Sequence, residues 1–298
     1  MSKLSDQELI DELQKRFEDN KKTIQELKDL AEELKIVNKK LEESEALKSH
    51  FISNITNEII NPFTSILGLS RSIMAVKKEN WKKVISMVAL IHSEAFNLDF
   101  QLRNIFLAAK IEAGEIYPEI LNVDLKTLIK NVIDTFRIES KKKNIQIEFL
   151  FDIKPEKGHV FYFKTDPEKI KLSLANLISN SIKFSFDDNK IIVKVWKEKD
   201  VVYASVQDFG TGISEANQKI IFDRFKRLDS GINSLNRGHG LGLSINKAVI
   251  DLLQGNISIK SEVNKGATFT VSIPEAKTNI AGFSADGNEF LFDDLEIF

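Results

Sequence analysis

The chain contains no cysteine, which removes disulfide scaffolds, thiolate nucleophiles and zinc fingers together. It also lacks an excess of charge of either sign: 42 Lys and Arg stand against 44 Asp and Glu, a formal net charge of −2. No global basic field is therefore available to hold nucleic acid or an anionic membrane. No apolar run approaches the ~18 residues that a spanning helix needs, and residues 1–12 are charged and polar rather than signal-like. These absences predict a cytoplasmic chain with no membrane span. Proline is scarce, five in 298 residues, and the thirteen glycines are uneven, ten of them beyond residue 200. The length predicts about two domains at roughly 150 residues each. A content of 42% hydrophobic and 29% charged residues is an ordinary globular mixture.

Residues 5–51 carry neither Gly nor Pro. Ile10, Leu13, Phe17, Ile24 and Leu27 recur at three/four spacing with Asn20 in one slot, and Leu30, Leu34, Val37, Leu41 and Ser44 repeat the pattern after a slip. That heptad seam predicts a long helix burying its stripe against a partner helix. Residues 47–76 form a second apolar-periodic stretch that Pro62 is expected to kink, and residues 81–113 a return helix capped by Gly114. Two antiparallel helices enclose no core alone, so two chains are expected to build a four-helix bundle. From residue 124 the texture becomes mixed α/β. Helices are predicted over 124–143, 166–184 and 241–253. Strands are predicted over 145–151, 160–163, 191–196, 201–207, 256–261 and 267–273, with Lys199 and Asp200 turning one pair. Val202, Ala204 and Val206 alternate with polar neighbours, which means one covered sheet face. The tail, 277–298, is acidic with spaced aromatics and no clear period.

Two glycine motifs carry chemistry. Asp208-Phe209-Gly210-Thr211-Gly212 follows a strand, and Gly238-His239-Gly240-Leu241-Gly242-Leu243 opens a helix. Glycine leaves room for a phosphate, and free amides at a helix N-terminus face the anion. Asn176 and Asn180, four apart, project from one helix face, with Lys183 a turn further on. In this combination and order the sequence resembles the ATP-binding catalytic domain of sensor histidine kinases, within the GHKL ATPases. The stretch from Asp166 through Asn176 and Asn180 to Lys183 looks like the family's N box. Asp208 to Gly212 looks like its first glycine box, Ile221-Phe222-Asp223-Arg224-Phe225 its F box, and Gly238 to Leu243 its second glycine box. Gly266-Ala267-Thr268-Phe269 looks like its closing strand.

The resemblance implies that Asp208 accepts from the adenine amino group, with Gly210 and Gly212 shaping that loop. Asn176 and Asn180 would hold Mg²⁺ and the phosphates, and Lys183 would meet a phosphate. The amides of the box that contains Gly238, Gly240, Leu241 and Gly242 would cradle the triphosphate. Phe222 and Phe225 would belong to a lid, and Thr268 would line the closing strand. ATP and Mg²⁺ are thus the implied cofactors.

Residues 51–63 resemble the same family's H box and 102–114 the second helix of its dimerisation and phosphotransfer domain. Where the family has its acceptor histidine, this chain has Asn57, followed by Glu58 and, three further on, Asn61 before Pro62; Ile60 stands where a basic residue is usual. A neutral imidazole has a ring-nitrogen lone pair that can attack phosphorus, whereas a carboxamide nitrogen shares its lone pair with the carbonyl. His50 is seven residues earlier, about 10.5 Å away at 1.5 Å per residue. His92 is expected to pack in the return helix, His159 lies near a strand start, and His239 occupies the variable slot of a glycine box.

The expected architecture is α plus α/β. Residues 1–48 form a coiled coil, 49–117 a helical hairpin that makes a four-helix bundle in a homodimer, 120–276 a GHKL α/β sandwich that binds ATP, and 277–298 a tail. The expected function is a two-component signalling protein of the sensor histidine kinase family that binds Mg·ATP and partners a response regulator. The acid-x-x-Asn pattern Glu58-Ile59-Ile60-Asn61 leaves a phosphatase role toward that regulator open. The alternative is a non-enzymatic scaffold that pairs with, or sequesters, a partner kinase or regulator. A chaperone- or topoisomerase-type ATPase is disfavoured, since those use a glutamate where this chain has Asn176.

Overall fold

The computed structural model describes residues 6–77, 80–154, 160–223, 241–277 and 283–284. The chain divides into two compact units, Met1–Ser53 and Asn54–Phe298. Over its described residues the first is helical, and Leu13, Phe17, Leu27, Leu34 and Leu41, which the heptad pattern assigns to a seam, are exposed. Helix α1 spans Asp6–Met74, and Pro62 lies inside it without ending it. A proline forfeits one backbone donor and crowds the preceding turn, which a helix this long survives. Helix α2, Trp81–Ala113, ends at Gly114 in the left-handed region (φ 71°), as its sequence predicts. His92 is exposed on α2 rather than packed.

In the second unit the α/β portion opens with a correction. The stretch 124–143, read as one helix, begins as strand β1 (Leu121–Asp124) and continues as α3 (Leu125–Thr135) and α4 (Arg137–Lys142). Asp124 is the reason for the boundary: its carboxylate accepts from Thr127 N (3.1 Å) and Thr127 Oγ1 (2.6 Å), a side-chain N-cap. Strands β2 (Gln146–Asp152) and β3 (Tyr162–Thr165) follow, then α5 (Pro167–Phe184). Asp166 caps α5 through Lys169 N (3.0 Å) and accepts from Glu119 N (2.7 Å), with Pro167 at the first helical position. The rest are β4 (Lys190–Glu198), β5 (Val201–Asp208), α6 (Glu215–Gln218), α7 (Gly242–Leu252), β6 (Asn256–Glu262), β7 (Gly266–Pro274) and β8 (Phe283–Ser284).

Five strands form one mixed sheet in the order β2-β4-β5-β7-β6. Its β2–β4 pair is parallel and the others are antiparallel. Register places Val193 against Val206 and Val206 against Phe269, and likewise Val195, Ala204 and Val271 in a row. All six are buried. Leu125 and Ile129 of α3, Ile170 and Leu174 of α5 and Ile250 of α7 meet Val202, Val271 and Ile273 around one small apolar cavity. Helices therefore cover one sheet face, the packing that period-two alternation requires. A second sheet, β3-β1-β8, was not legible in advance: the two residues of β8 add parallel to β1 from within the tail. The tail aromatics Phe290, Phe292 and Phe298 lie outside the described residues. No helix among the described residues is long and apolar enough to cross a membrane.

Candidate functional site

Strand β5 ends in Asp208, which is 4% exposed. Its Oδ1 accepts from Gly210 N (3.0 Å) and Ala267 N (3.2 Å). Burial pushes the carboxyl above its ordinary value, and the two backbone N–H groups only partly offset this. Glycine is demanded on both sides of this carboxylate. A Cβ on Gly210 would collide with the carbonyl of Phe184 at the end of α5, where Thr211 N donates (3.1 Å). Gly266, with φ of 90°, lies against the Asp208 carbonyl. Asp208 lines an open cleft of ≈ 320 Å³ with Lys260, Ser261, Gly266, Ala267 and Thr268. Thr268 is half-buried in β7, between Gln207 and Lys260. Gly212 ends the same loop, and Ile213 N beyond it donates to Ser261 Oγ (2.8 Å).

Helix α5 supplies the second group of residues. Asn180 is half-buried, whereas Asn176 is only 3% exposed and donates both amide protons, to Asn104 Oδ1 of α2 (2.9 Å) and Asn246 Oδ1 of α7 (3.1 Å). Lys183 is half-buried with Nζ 5.3 Å from the Phe184 ring centroid. The end of α5 is held by a residue that sequence reasoning missed. Lys143 Nζ donates to the carbonyls of Ile182 (3.0 Å), Lys183 (2.8 Å) and Ser185 (3.2 Å), a cation on the negative end of a helix.

Leu241 is buried, and Gly242 begins α7, where an added Cβ would stand 3.2 Å from Asn176 Oδ1. Phe222 is half-buried beside buried Ile221; Phe225, Gly238 and Gly240 lie outside the described residues. So do the side chains of Asn57 and Glu58, while Asn61 is exposed on α1.

The donor set fits a nucleotide with its magnesium. Among the described residues no three His, Cys, Asp or Glu side chains converge on a metal position. Carboxamide oxygens of Asn176 and Asn180 are neutral hard donors, suited to a Mg²⁺ that keeps waters and brings phosphate oxygens with it. An ionised Asp208 is an acceptor only, the match for an exocyclic amine.

Residues 165–277 match the family model of histidine kinase-, DNA gyrase B- and HSP90-like ATPases. The circadian input-output histidine kinase CikA of Synechococcus elongatus is 30% identical over 236 residues, 77% of this chain. Residues 165–277 belong to that ATPase family. Sensor protein EvgS of Escherichia coli is 28% identical over 266 residues, 84% of this chain. The chain spans 30% of the length of CikA and 21% of that of EvgS. The crystal structure of full-length ShkA in complex with AMPPNP shares the fold, with a TM-score of 0.53 and 21% identity over 79% of this chain and 47% of that one.

Within this fold, Asp208 gives a pH test. Its raised pKa means that folding favours the neutral acid. The contribution is present below the ordinary value of 3.8 and is lost as pH rises through the raised one. Asp208→Asn keeps an oxygen for Gly210 N and Ala267 N and removes the desolvated charge. The melting temperature of the variant is expected to equal the parent's in acid and to exceed it increasingly toward neutral pH. A parent that gains on the variant over that rise contradicts the assignment.

Proposed function

We propose that this chain is a two-component signalling protein that binds Mg·ATP in residues 120–276 and cannot phosphorylate its own hairpin at position 57. The observation that carries the reading is the buried Asp208, held by Gly210 N and Ala267 N, facing the same cleft as Thr268. Asp208 selects adenine by accepting from its amine. Asn180 and Asn176 hold the cation through their oxygens, Lys183 meets phosphate, and the amides around Gly240 and Gly242 receive the triphosphate. Bound Mg²⁺ neutralises phosphate charge. Phe222 and Phe225 belong to the segment that covers the nucleotide. Asn57, with no basic lone pair on its nitrogen, leaves the γ-phosphate without an acceptor. Calorimetry with Mg·ATP should give binding in the parent, weakened by about 1–3 kcal/mol in Asp208→Asn, where a hydrogen-bond partner of the base is lost. Absence of any ATP affinity in the parent would sink the reading.

The chain is proposed to act as a homodimer through residues 49–117. Ile60, Phe63 and Leu67 of α1 and Trp81, Ile85 and Val88 of α2 are exposed, an apolar surface that a partner hairpin would cover. Light scattering should give twice the chain mass; a stable monomer contradicts it.

A second reading rests on Asn61. Its exposure on α1 leaves the carboxamide free to face a docked response regulator, where it could hold a water in line with an aspartyl phosphate. Such dephosphorylation requires positioning and no imidazole. A phosphorylated cognate regulator should lose phosphate faster with the parent than alone, and Asn61→Ala should abolish the difference. Equal rates in all three would leave the scaffold role in its place.

A further inference from the structure

Helix α2 meets the ATP-binding portion along one face. Lys142 Nζ donates to buried Ser93 Oγ (2.9 Å), and the rings of Phe96 and Phe100 stand edge-on to Phe136 with centroids 5.8 and 6.1 Å away. A turn further along, Arg103 reaches Glu168 (3.7 Å). The strip ends at Asn104, 3% exposed, on the Asn176 carboxamide.

The geometry fixes which atom of Asn176 is left for a ligand. Asn246, fully buried, donates Nδ2 to the Ser173 carbonyl (3.1 Å), so its Oδ1 must face Asn176. Asn104 donates Nδ2 to the Phe100 carbonyl (3.0 Å), which turns its Oδ1 to Asn176 as well. An asparagine amide has two protons, and both are spent. The carbonyl oxygen is what remains, and it lies 3.2 Å from where a Cβ on Gly242 would stand, at the start of α7. A hard cation takes an oxygen and is repelled by N–H groups. Hydrogen bonds from the amide protons also polarise the carbonyl and make it a better donor to a metal.

We propose that Asn104 is a positioning residue for magnesium-bound nucleotide: through it, α2 holds the Asn176 carboxamide with its oxygen toward the glycine-rich start of α7, so docking of α2 raises the affinity for the magnesium form. The proposal rests on the nucleotide reading above. By reciprocity, Mg·nucleotide strengthens the docking of α2 by the same factor.

The test is the affinity for AMPPNP, with magnesium and with EDTA, in the parent, Asn104→Leu, Asn104→Ala, Asn176→Ala and the Asn104→Leu/Asn176→Ala double variant. Asn104→Leu should weaken the magnesium-dependent affinity by about tenfold, the scale of losing a group that orients a metal ligand. The magnesium-free affinity should not change. Asn104→Ala, which leaves room for a bridging water and keeps the measurement possible should the leucine variant not fold, should act in the same direction but less. With Asn176 already alanine, Asn104→Leu should have no further effect. Equal losses with and without magnesium, an effect that survives Asn176→Ala, or no effect at all would overturn the proposal. A parent that binds nucleotide indifferently to Asn104 removes this inference alone; a parent that binds none removes the nucleotide reading with it.

Discussion

Three carboxamides from three helices meet in a largely buried cluster, and the arrangement of the ATP-binding portion follows from satisfying them. A buried amide left unpaired costs about 1–3 kcal/mol, so Asn104, Asn176 and Asn246 hold α2, α5 and α7 in one register relative to each other. Helix α5 can serve this contact because its other buried residues, Ile170, Leu174, Leu177 and Ile178, pack in the core beside the sheet. The same helix ends beneath the Asp208 loop, where Phe184 leaves no room for a side chain on Gly210 and Lys143 collects the last carbonyls. One element thus connects the apolar core, the carboxamide cluster and the Asp208 loop.

Much of this was legible from local pattern. Alternation in Val202, Ala204 and Val206 fixed the covered face of β5, and the glycine that ends α2 was readable because a left-handed cap favours that residue. The order of the boxes pointed to the family before any coordinates. What escaped was whatever depends on contacts distant in sequence. Asp124 looked like the start of one helix, yet it closes a strand whose partners are 38 or more residues away; Leu121, for instance, pairs with Thr165. The two residues of β8 have no pattern of their own and are ordered by pairing with β1. Asn104 and Asn246 carry no sequence signal, because an asparagine on an amphipathic helix reads as a solvated position until the opposing helices are in place. Asn176 was read as facing ligand alone, whereas its amide protons are committed to two helices and only its oxygen can serve one.

The chemistry of the chain divides at the hairpin. Binding a nucleotide needs an acceptor for adenine, oxygens for a cation and amides for phosphate, and in the proposed reading these fall to Asp208, to Asn176 and Asn180, and to the glycine-rich stretch before α7. In the same reading position 57 is the acceptor position of the hairpin, and an asparagine there offers no nitrogen lone pair to a phosphoryl group. Retention of the first without the second would leave a protein whose nucleotide state is communicated by packing and hydrogen bonds, among them the α2 contact, rather than by a phosphorylated side chain.

That division is tested most directly by incubating the chain with ATP carrying label in either the α- or the γ-phosphate, with magnesium. The account predicts equal retention of both labels on the native protein and no label on the denatured chain. Label from the γ-phosphate alone that survives denaturation would show a phosphoryl acceptor in the chain and would contradict it.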